Sequence, residues 1–246
     1  LRAEISYPFF RWLQGDKMII TGHRGAAKLE PENTLRSIQK AIDLGVDQIE
    51  IDVHLTRDGH LVVIHDATVE RTTNGHGAVA DLTLQEIKQL DAGKGERIPT
   101  LQEVMDWVKG KAILQIELKG PDTAKLVVRA VEQNGMVGEV VLTSFVHDRL
   151  REARQLNPNM ALGALWSHPP DDACAQAIEI GAEALHIQHQ NIDAALVQKA
   201  HASGLKIRAW NPDTIEEMQR MIDLRVDAVG SNRPDVLIAL YRKHIL

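Results

Sequence analysis

The chain has 246 residues, 44% of them hydrophobic, and a formal net charge of −6. That length fits two small domains or one large α/β barrel, and the acidic balance excludes nucleic acid as the main partner, since no excess of cations faces the phosphates. The single cysteine, Cys174, excludes an internal disulfide framework, and no run approaches the roughly 18 apolar residues that span a bilayer.

Residues 1–17, LRAEISYPFFRWLQGDK, read as an N-terminal arm or an appended segment that does not open with Met. Tyr7, Phe9, Phe10 and Trp12 concentrate aromatic side chains in a chain that is 4% aromatic overall. The arm is expected to pack on the body. Contact with a membrane surface is the alternative, because aromatics flanked by Arg suit an interface. The main body is expected over 18–246.

From Met18 onward, apolar strands alternate with helical patterns. Met18 to Thr21 predicts a first strand that ends in Gly22-His23-Arg24-Gly25. Pro31-Glu32-Asn33-Thr34 opens a helix to about Leu44, with Asn33 or Thr34 as its cap. Gln48 to Val53 is the second strand. Side chains alternate along a strand, so Ile49, Ile51 and Val53 share one face while Glu50 and Asp52 share the other. Thr56-Arg57-Asp58-Gly59 is a turn into an apolar strand, Leu61 to Ile64, that ends in His65-Asp66. Two short helices near 84–90 and 101–109 follow, opened by capping boxes at Thr83-Leu84-Gln85-Glu86 and Thr100-Leu101-Gln102-Glu103.

Further strands are expected at 112–118, 140–143, 160–165, 184–187, 206–209 and 227–229, each followed by a helix. The helix-to-strand joints LGVDQIEI, IGAEALHI and LRVDAVGS form a weak internal repeat. Eight βα units predict an α/β fold, a closed TIM (β/α)8 barrel rather than a doubly wound sheet. One small insertion, about 56–110, is expected after strand two. No stretch rich in Pro, Gly or Ser marks a boundary between two domains.

In such a barrel the active site lies at the C-terminal ends of the strands. Those ends carry His23 and Arg24, Glu50 and Asp52, Gln115, Glu117 and Lys119, His186 and Gln188, Trp210 and Asn211, and Ser231 to Arg233. Glu50, Asp52 and Glu117 form an oxygen-only set. Three such acids repel one another without a cation, and they suit one divalent ion, Mg²⁺ or Ca²⁺, better than Zn²⁺. The alternative is that they pair with Lys119, Arg24 and Arg208. His23 and His65 flank the acids and are read as catalytic proton carriers. The other histidines are read as solvent or loop residues, with His54 and His186 the first exceptions. Arg24 and Lys119 are read as phosphate contacts, Arg through a fork of hydrogen bonds and Lys as a point charge. Trp210 is read as a wall of the pocket against an apolar or glycerol moiety, or else as core packing.

The ordered motifs GHRG, PENT, EIDVHLTRDG, VVIHD, TTNG and LQIELK resemble the glycerophosphodiester phosphodiesterase family, most closely its compact bacterial type. The resemblance runs from about Met18 to the C-terminus and is strongest over Gly22 to Gly75. It implies a TIM barrel with an insertion after strand two. It implies hydrolysis of glycerophosphodiesters, such as glycerophosphocholine or glycerophosphoethanolamine, to sn-glycerol 3-phosphate and an alcohol, within lipid and glycerol metabolism. His23 and His65 match the family's catalytic histidines, Glu50, Asp52 and Glu117 its metal ligands, and Arg24 and Lys119 its phosphate contacts. The implied partner is a small glycerophosphodiester. The rival reading is a lysophospholipase D-type activity on lysophospholipids. A non-catalytic phosphate-binding barrel and a barrel enzyme acting on sugars are weaker rivals. Oligomeric state is left open, and a cytoplasmic location is the default expectation.

Overall fold

The computed structural model describes residues 17–245. The arm expected over 1–17 therefore lies, apart from Lys17, outside the described residues. The first half of the chain forms β1 (Ile19–His23), α1 (Leu35–Leu44), β2 (Gln48–Leu55), β3 (Leu61–Val63), α2 (Leu84–Ile87) and α3 (Leu101–Val108). The second half repeats one unit: β4 (Ile113–Leu118), α4 (Thr123–Gln133), β5 (Val140–Ser144), α5 (His147–Leu156), β6 (Ala161–Trp166) and α6 (Ala173–Ile180). It ends with β7 (Ala184–Gln188), α7 (Ala194–Ala202), β8 (Lys206–Trp210), α8 (Ile215–Asp223), β9 (Ala228–Ser231) and α9 (Pro234–Ile245). Among the described residues no helix is long and apolar enough to cross a membrane.

Eight of the strands are parallel and close into a barrel, β1 pairing with β9 on one side and with β2 on the other. β3 is the exception. The β1–β2 ladder ends at His23 and Glu50, and antiparallel β3 then takes over that edge of β2 through Val53–Val63 and Leu55–Leu61. The hairpin therefore rises at the C-terminal mouth, beside the first strand's end. The segment it begins packs a small core of its own from Val62, Ile64, Val69, Val79, Ile87, Ala92 and Ile98, and α3 then returns to the main core through Leu101, Val104, Met105 and Val108.

The strands divide their side chains by parity. Ile49, Ile51, Val53, Leu114, Ile116 and Leu142 face the helices in the main core. The alternate positions face inward and are polar: Thr21, Gln48, Glu50, Gln115, Thr143, His186 and Arg208 are all buried. Ile113, Val141 and Ala161 form a separate apolar plug at the other end. An interior this polar is costly unless its groups are paired or put to use.

The weak repeat has a structural cause. At each of the three joints a residue with positive φ ends the helix: Gly45 at 79°, Gly181 at 78° and Arg225 at 54°. The acid two residues later then accepts the backbone amide of the neighbouring strand. Asp47 takes Ile20 N at 2.9 Å, Glu183 takes Leu162 N at 2.7 Å and Asp227 takes Ile207 N at 2.8 Å. The repeat thus stitches the N-terminal rim of the barrel rather than serving the opposite mouth.

Candidate active site

β1 places His23 beside Glu50, and the loop that follows is unusually tight. A Cβ on Gly22 would lie 2.3 Å from the Gly25 carbonyl oxygen, and one on Gly25, at φ +86°, would lie 2.5 Å from Ser37 Oγ. Only glycine fits either position. Between them Arg24 takes φ +51°, a left-handed conformation that costs a non-glycine residue energy. The turn is held from both sides. The Arg24 amide donates to Glu50 Oε2 at 3.0 Å, and its carbonyl accepts from Asn33 N at 3.1 Å and Ser37 Oγ at 2.9 Å. Its guanidinium is thereby set among the acids, with Nη1 2.7 Å from Glu32 Oε1 and Nε 3.3 Å from Asp52 Oδ2.

The β2–β4 ladder sets Glu50 opposite Gln115 and Asp52 opposite Glu117. Carboxylate oxygens of Glu50, Asp52 and Glu117 approach within 4.8 Å of one another, and all three residues are buried. Burial, reinforced by the neighbouring acids, pushes Glu50 and Glu117 above the usual carboxylate range. Burial acts on Asp52 as well, but Arg24 and Lys119 outweigh it and hold Asp52 below its ordinary value. Lys119 Nζ lies 2.9 Å from Glu117 Oε1 and 3.7 Å from Asp52 Oδ1. Asn33 Nδ2 donates to Asp52 Oδ2 at 3.0 Å. The other oxygen, Asp52 Oδ1, is buried and accepts no hydrogen bond. A buried carboxylate oxygen without a donor, in a set made of oxygens alone, fits a hard divalent cation.

Arg208 shares this interior. It is buried, and desolvation pulls its pKa down to about 10 against the opposing pull of Glu50 and Glu117. Gly230 makes room for it, since a Cβ there would fall 2.3 Å from Arg208 Nη2. The expected pairing of the acids with cations is therefore partly present, through Lys119 and Arg24, yet it leaves Asp52 Oδ1 without a hydrogen bond and with Lys119 Nζ no nearer than 3.7 Å.

Both histidines reach the cleft with Nδ1 engaged. His23 Nδ1 is 2.7 Å from Asn232 Oδ1, and its Nε2 is 3.7 Å from Glu50 Oε2. Burial, with help from Arg24, lowers the His23 pKa to about 4. His65 follows β3, and its Nδ1 is 2.5 Å from Asp66 Oδ1. Arg71 then binds Asp66 Oδ2 through Nε at 2.6 Å and grips Glu32 with Nη1 and Nη2 at 2.9 and 2.8 Å. Arg24, Glu32, Arg71, Asp66 and His65 thus form one chain that ties the β1 loop to the insertion. Arg71 and the His65 ring hold Asp66 well below the usual carboxylate range against burial. His54 adds a backbone tether, its Nε2 donating to the His65 carbonyl at 3.0 Å.

Trp210 forms one wall of the cleft. Its Nε1 donates to the His186 carbonyl at 3.2 Å, and its ring meets Phe145 edge to face at 5.6 Å between centroids. Lys119 Nζ lies 5.9 Å from the centre of the Phe145 ring. His23, Arg24, Glu50, His65, Lys119 and Trp210 line one cleft, together with Glu117 and Phe145. Asp52 sits at its floor through Arg24 and Lys119. The structure therefore brings all eight residues singled out in the sequence to one mouth of the barrel. His186 is not at the rim. It is buried in the interior opposite Gly163, where a Cβ would lie 2.2 Å from its Nε2, and burial pushes its pKa well below the ordinary value.

Several neighbours were not legible as site residues. Of the two candidate caps, Thr34 caps α1 by accepting Ser37 N, while Asn33 at φ +56° turns to Asp52. Asp66 adjoins His65 in sequence, which is a usable signal. Arg71 arrives from a loop and carries no spacing that marks it, and Phe145 follows the end of β5 but is an apolar residue with no chemical mark of its own.

The chain is similar to known proteins over most of its length. The sequence model described as the glycerophosphoryl diester phosphodiesterase family matches residues 23–236. A glycerophosphodiester phosphodiesterase from Caldanaerobacter subterraneus subsp. tengcongensis is 40% identical over 92% of this chain and 99% of its own. A phosphodiesterase from Oleispira antarctica, solved in complex with its product sn-glycerol-3-phosphate, superposes with a TM-score of 0.87 at 30% identity, covering 91% of this chain and 96% of that one. A putative glycerophosphoryl diester phosphodiesterase from Silicibacter pomeroyi shares the fold, with a TM-score of 0.92 at 24% identity over 98% of this chain and 99% of that one. This chain belongs to the glycerophosphoryl diester phosphodiesterase family, a family of phosphoric diester hydrolases.

Proposed function

We propose that the cleft hydrolyses glycerophosphodiesters, such as glycerophosphocholine or glycerophosphoethanolamine, to sn-glycerol 3-phosphate and an alcohol. The observation that carries the reading is the buried trio Glu50, Asp52 and Glu117 flanked by the two histidines His23 and His65, each oriented through Nδ1. The product bound by the Oleispira antarctica relative supports the substrate class. Glu50, Asp52 and Glu117 would hold one Mg²⁺ or Ca²⁺, which neutralises negative charge on the phosphate oxygens.

The remaining work falls to this chain's own side chains. Arg24, fixed by Glu32 and Asp52, offers a charged fork to the non-bridging phosphate oxygens. Lys119 adds a point charge at the same rim. The Trp210 ring excludes water from one side and packs against the glycerol. His23 and His65 exchange protons with the nucleophile and the departing alkoxide, since both rings present Nε2 once Nδ1 is engaged. The nucleophile is water or the substrate's own glycerol 2-hydroxyl. A cyclic phosphate trapped in early turnover identifies the second.

Release of sn-glycerol 3-phosphate from glycerophosphocholine tests the reading, with EDTA present and then with Mg²⁺ or Ca²⁺ restored. Turnover lost to chelation and recovered with one ion is expected. Absence of turnover under every ion sinks the small-diester assignment. Phe145, 43% exposed beside Trp210, favours lysophospholipids as the second reading, and turnover that appears only above the micelle concentration would select it.

A further inference from the structure

Behind Asn232, the partner of His23 Nδ1, lie Asp213 and Lys28, which take no part in the chemistry above, and the three form a chain that ends on His23. Asp213 lies between β8 and α8. Its Oδ1 accepts Asn232 N at 3.0 Å and Ser231 Oγ at 3.1 Å. Its Oδ2 accepts Asn232 Nδ2 at 2.7 Å and lies 2.9 Å from Lys28 Nζ. Both carboxylate oxygens are acceptors only, and Asp213 is held ionised, below its ordinary pKa, by Asn232 and Lys28 against burial.

This fixes which way the Asn232 amide points. Its NH2 group must face Asp213, so its carbonyl Oδ1 faces His23 Nδ1 at 2.7 Å. The flipped amide would set a carbonyl oxygen against a carboxylate and lose both hydrogen bonds. A carbonyl oxygen accepts and never donates. His23 Nδ1 must therefore carry the hydrogen, and in the neutral ring Nε2 is then the bare nitrogen. That atom is the one on the Glu50 side, 3.7 Å from Oε2.

We propose that Asn232, braced by Asp213 and Lys28, is a positioning residue that fixes His23 as the Nδ1–H tautomer and presents its Nε2 lone pair to the phosphodiester. The proposal rests on the reading of His23 as a proton carrier. It adds a residue distant in sequence but adjacent in the barrel, just past the end of β9, where the ring closes beside β1. A purely structural Asn232 would hold the loop after β9 but would not select a nitrogen of His23. Orienting groups of this kind change activity by about 10- to 100-fold when lost.

The experiment is a ring-nitrogen NMR spectrum of the ¹⁵N-histidine-labelled protein, with His23 assigned by comparison with His23→Ala. Wild type is expected to show His23 protonated at Nδ1. Asn232→Leu keeps the size and removes the acceptor, so both tautomers should appear and kcat should fall about 10- to 100-fold, with KM within about threefold. Asp213→Asn is the second variant, for the case where Asn232→Leu does not fold. It frees the amide to flip and should move the spectrum the same way. A wild-type His23 protonated at Nε2, or a folded Asn232→Leu that keeps its tautomer and its kcat, overturns the proposal. The tautomer is read without substrate, so its failure and the failure of the diester reading are separate results.

Discussion

At the scale of single residues, the site is a contest between burial and charge. Glu50 and Glu117 yield to burial, whereas Asp52 does not, because Arg24 and Lys119 reach it directly. Asp52→Asn removes the acid best able to stay ionised, and an amide oxygen is a poorer ligand for a hard cation. Affinity for Mg²⁺ or Ca²⁺, measured by calorimetry, should fall by about two orders of magnitude or more, roughly the 3 kcal/mol that a buried charge partner is worth. Unchanged affinity would remove Asp52 from the ligand set. His23→Ala and His65→Ala should each lower kcat by about 10²-fold or more, with smaller changes in KM. A folded variant with wild-type kcat would clear that histidine of the role. Arg71 is a subtler case. It is exposed on one side, so Arg71→Met should alter stability by no more than about 0.5 kcal/mol. It should nonetheless slow turnover, because both Glu32 and Asp66 lose their shared cation. Five of the eight residues first singled out are acids and histidines at strand ends, which are chemically conspicuous, and Arg24, Lys119 and Trp210 drew notice by sharing those ends. Arg71 did not, since a loop arginine looks like any solvated charge until folding brings it to two acids.

At the scale of elements, the strands extend beyond the apolar runs that announced them. β1 reaches His23 and β2 reaches Leu55, because ladder pairing continues where side chains turn polar. Hydrophobic pattern therefore marks where these strands begin better than where they end, and His23 and Trp210 lie in the part it omits, whereas Glu50, Asp52 and Glu117 fall inside it. The capping boxes at Thr83 and Thr100 were legible, and a third, Thr214 with Glu217, opens α8. The repeated joints supply a cleaner test. Two of them use glycine at the left-handed position, and the third uses Arg225 at φ +54°. A left-handed L-residue costs about 1–2 kcal/mol, and glycine gives back about 0.5–1 kcal/mol of that in chain entropy. Arg225→Gly should thus stabilise the protein by roughly 0.5–1 kcal/mol, read as a raised denaturation midpoint at constant slope. A destabilised variant would mean that Arg225 earns its place through contacts. Gly25→Ala should do the opposite, by more than about 2 kcal/mol, since it adds both strain and a clash with Ser37.

At the scale of the whole molecule, closing the ring forces three acids and an arginine into one interior, and the fold carries that cost in a way that depends on pH. The raised acids decide the sign. Folded Glu50 and Glu117 keep protons that the unfolded chain has released, from about pH 4.5 up to about pH 8 for Glu50 and about pH 7 for Glu117. Without a cation, their contribution to stability therefore falls as pH rises through that window. His23 acts the other way. Its pKa is lowered from 6.5 to about 4, so its contribution rises with pH between those values and is complete above them. The carboxylates stand apart from it only above about pH 6.5, and there the cation-free protein should lose stability with rising pH. A divalent cation requires the acids ionised, so its binding expels their protons and tightens as pH rises, by up to about tenfold per pH unit for each proton released. The midpoint of thermal unfolding, taken with EDTA and with saturating Mg²⁺ at pH 6.5 and at pH 8, should show a larger gain from the ion at the higher pH. An equal gain at both would mean that the acids are already ionised in the empty barrel. Arg208, buried among them, would then be the cation that keeps them so, and Arg208→Met would be the variant in which the pH dependence appears.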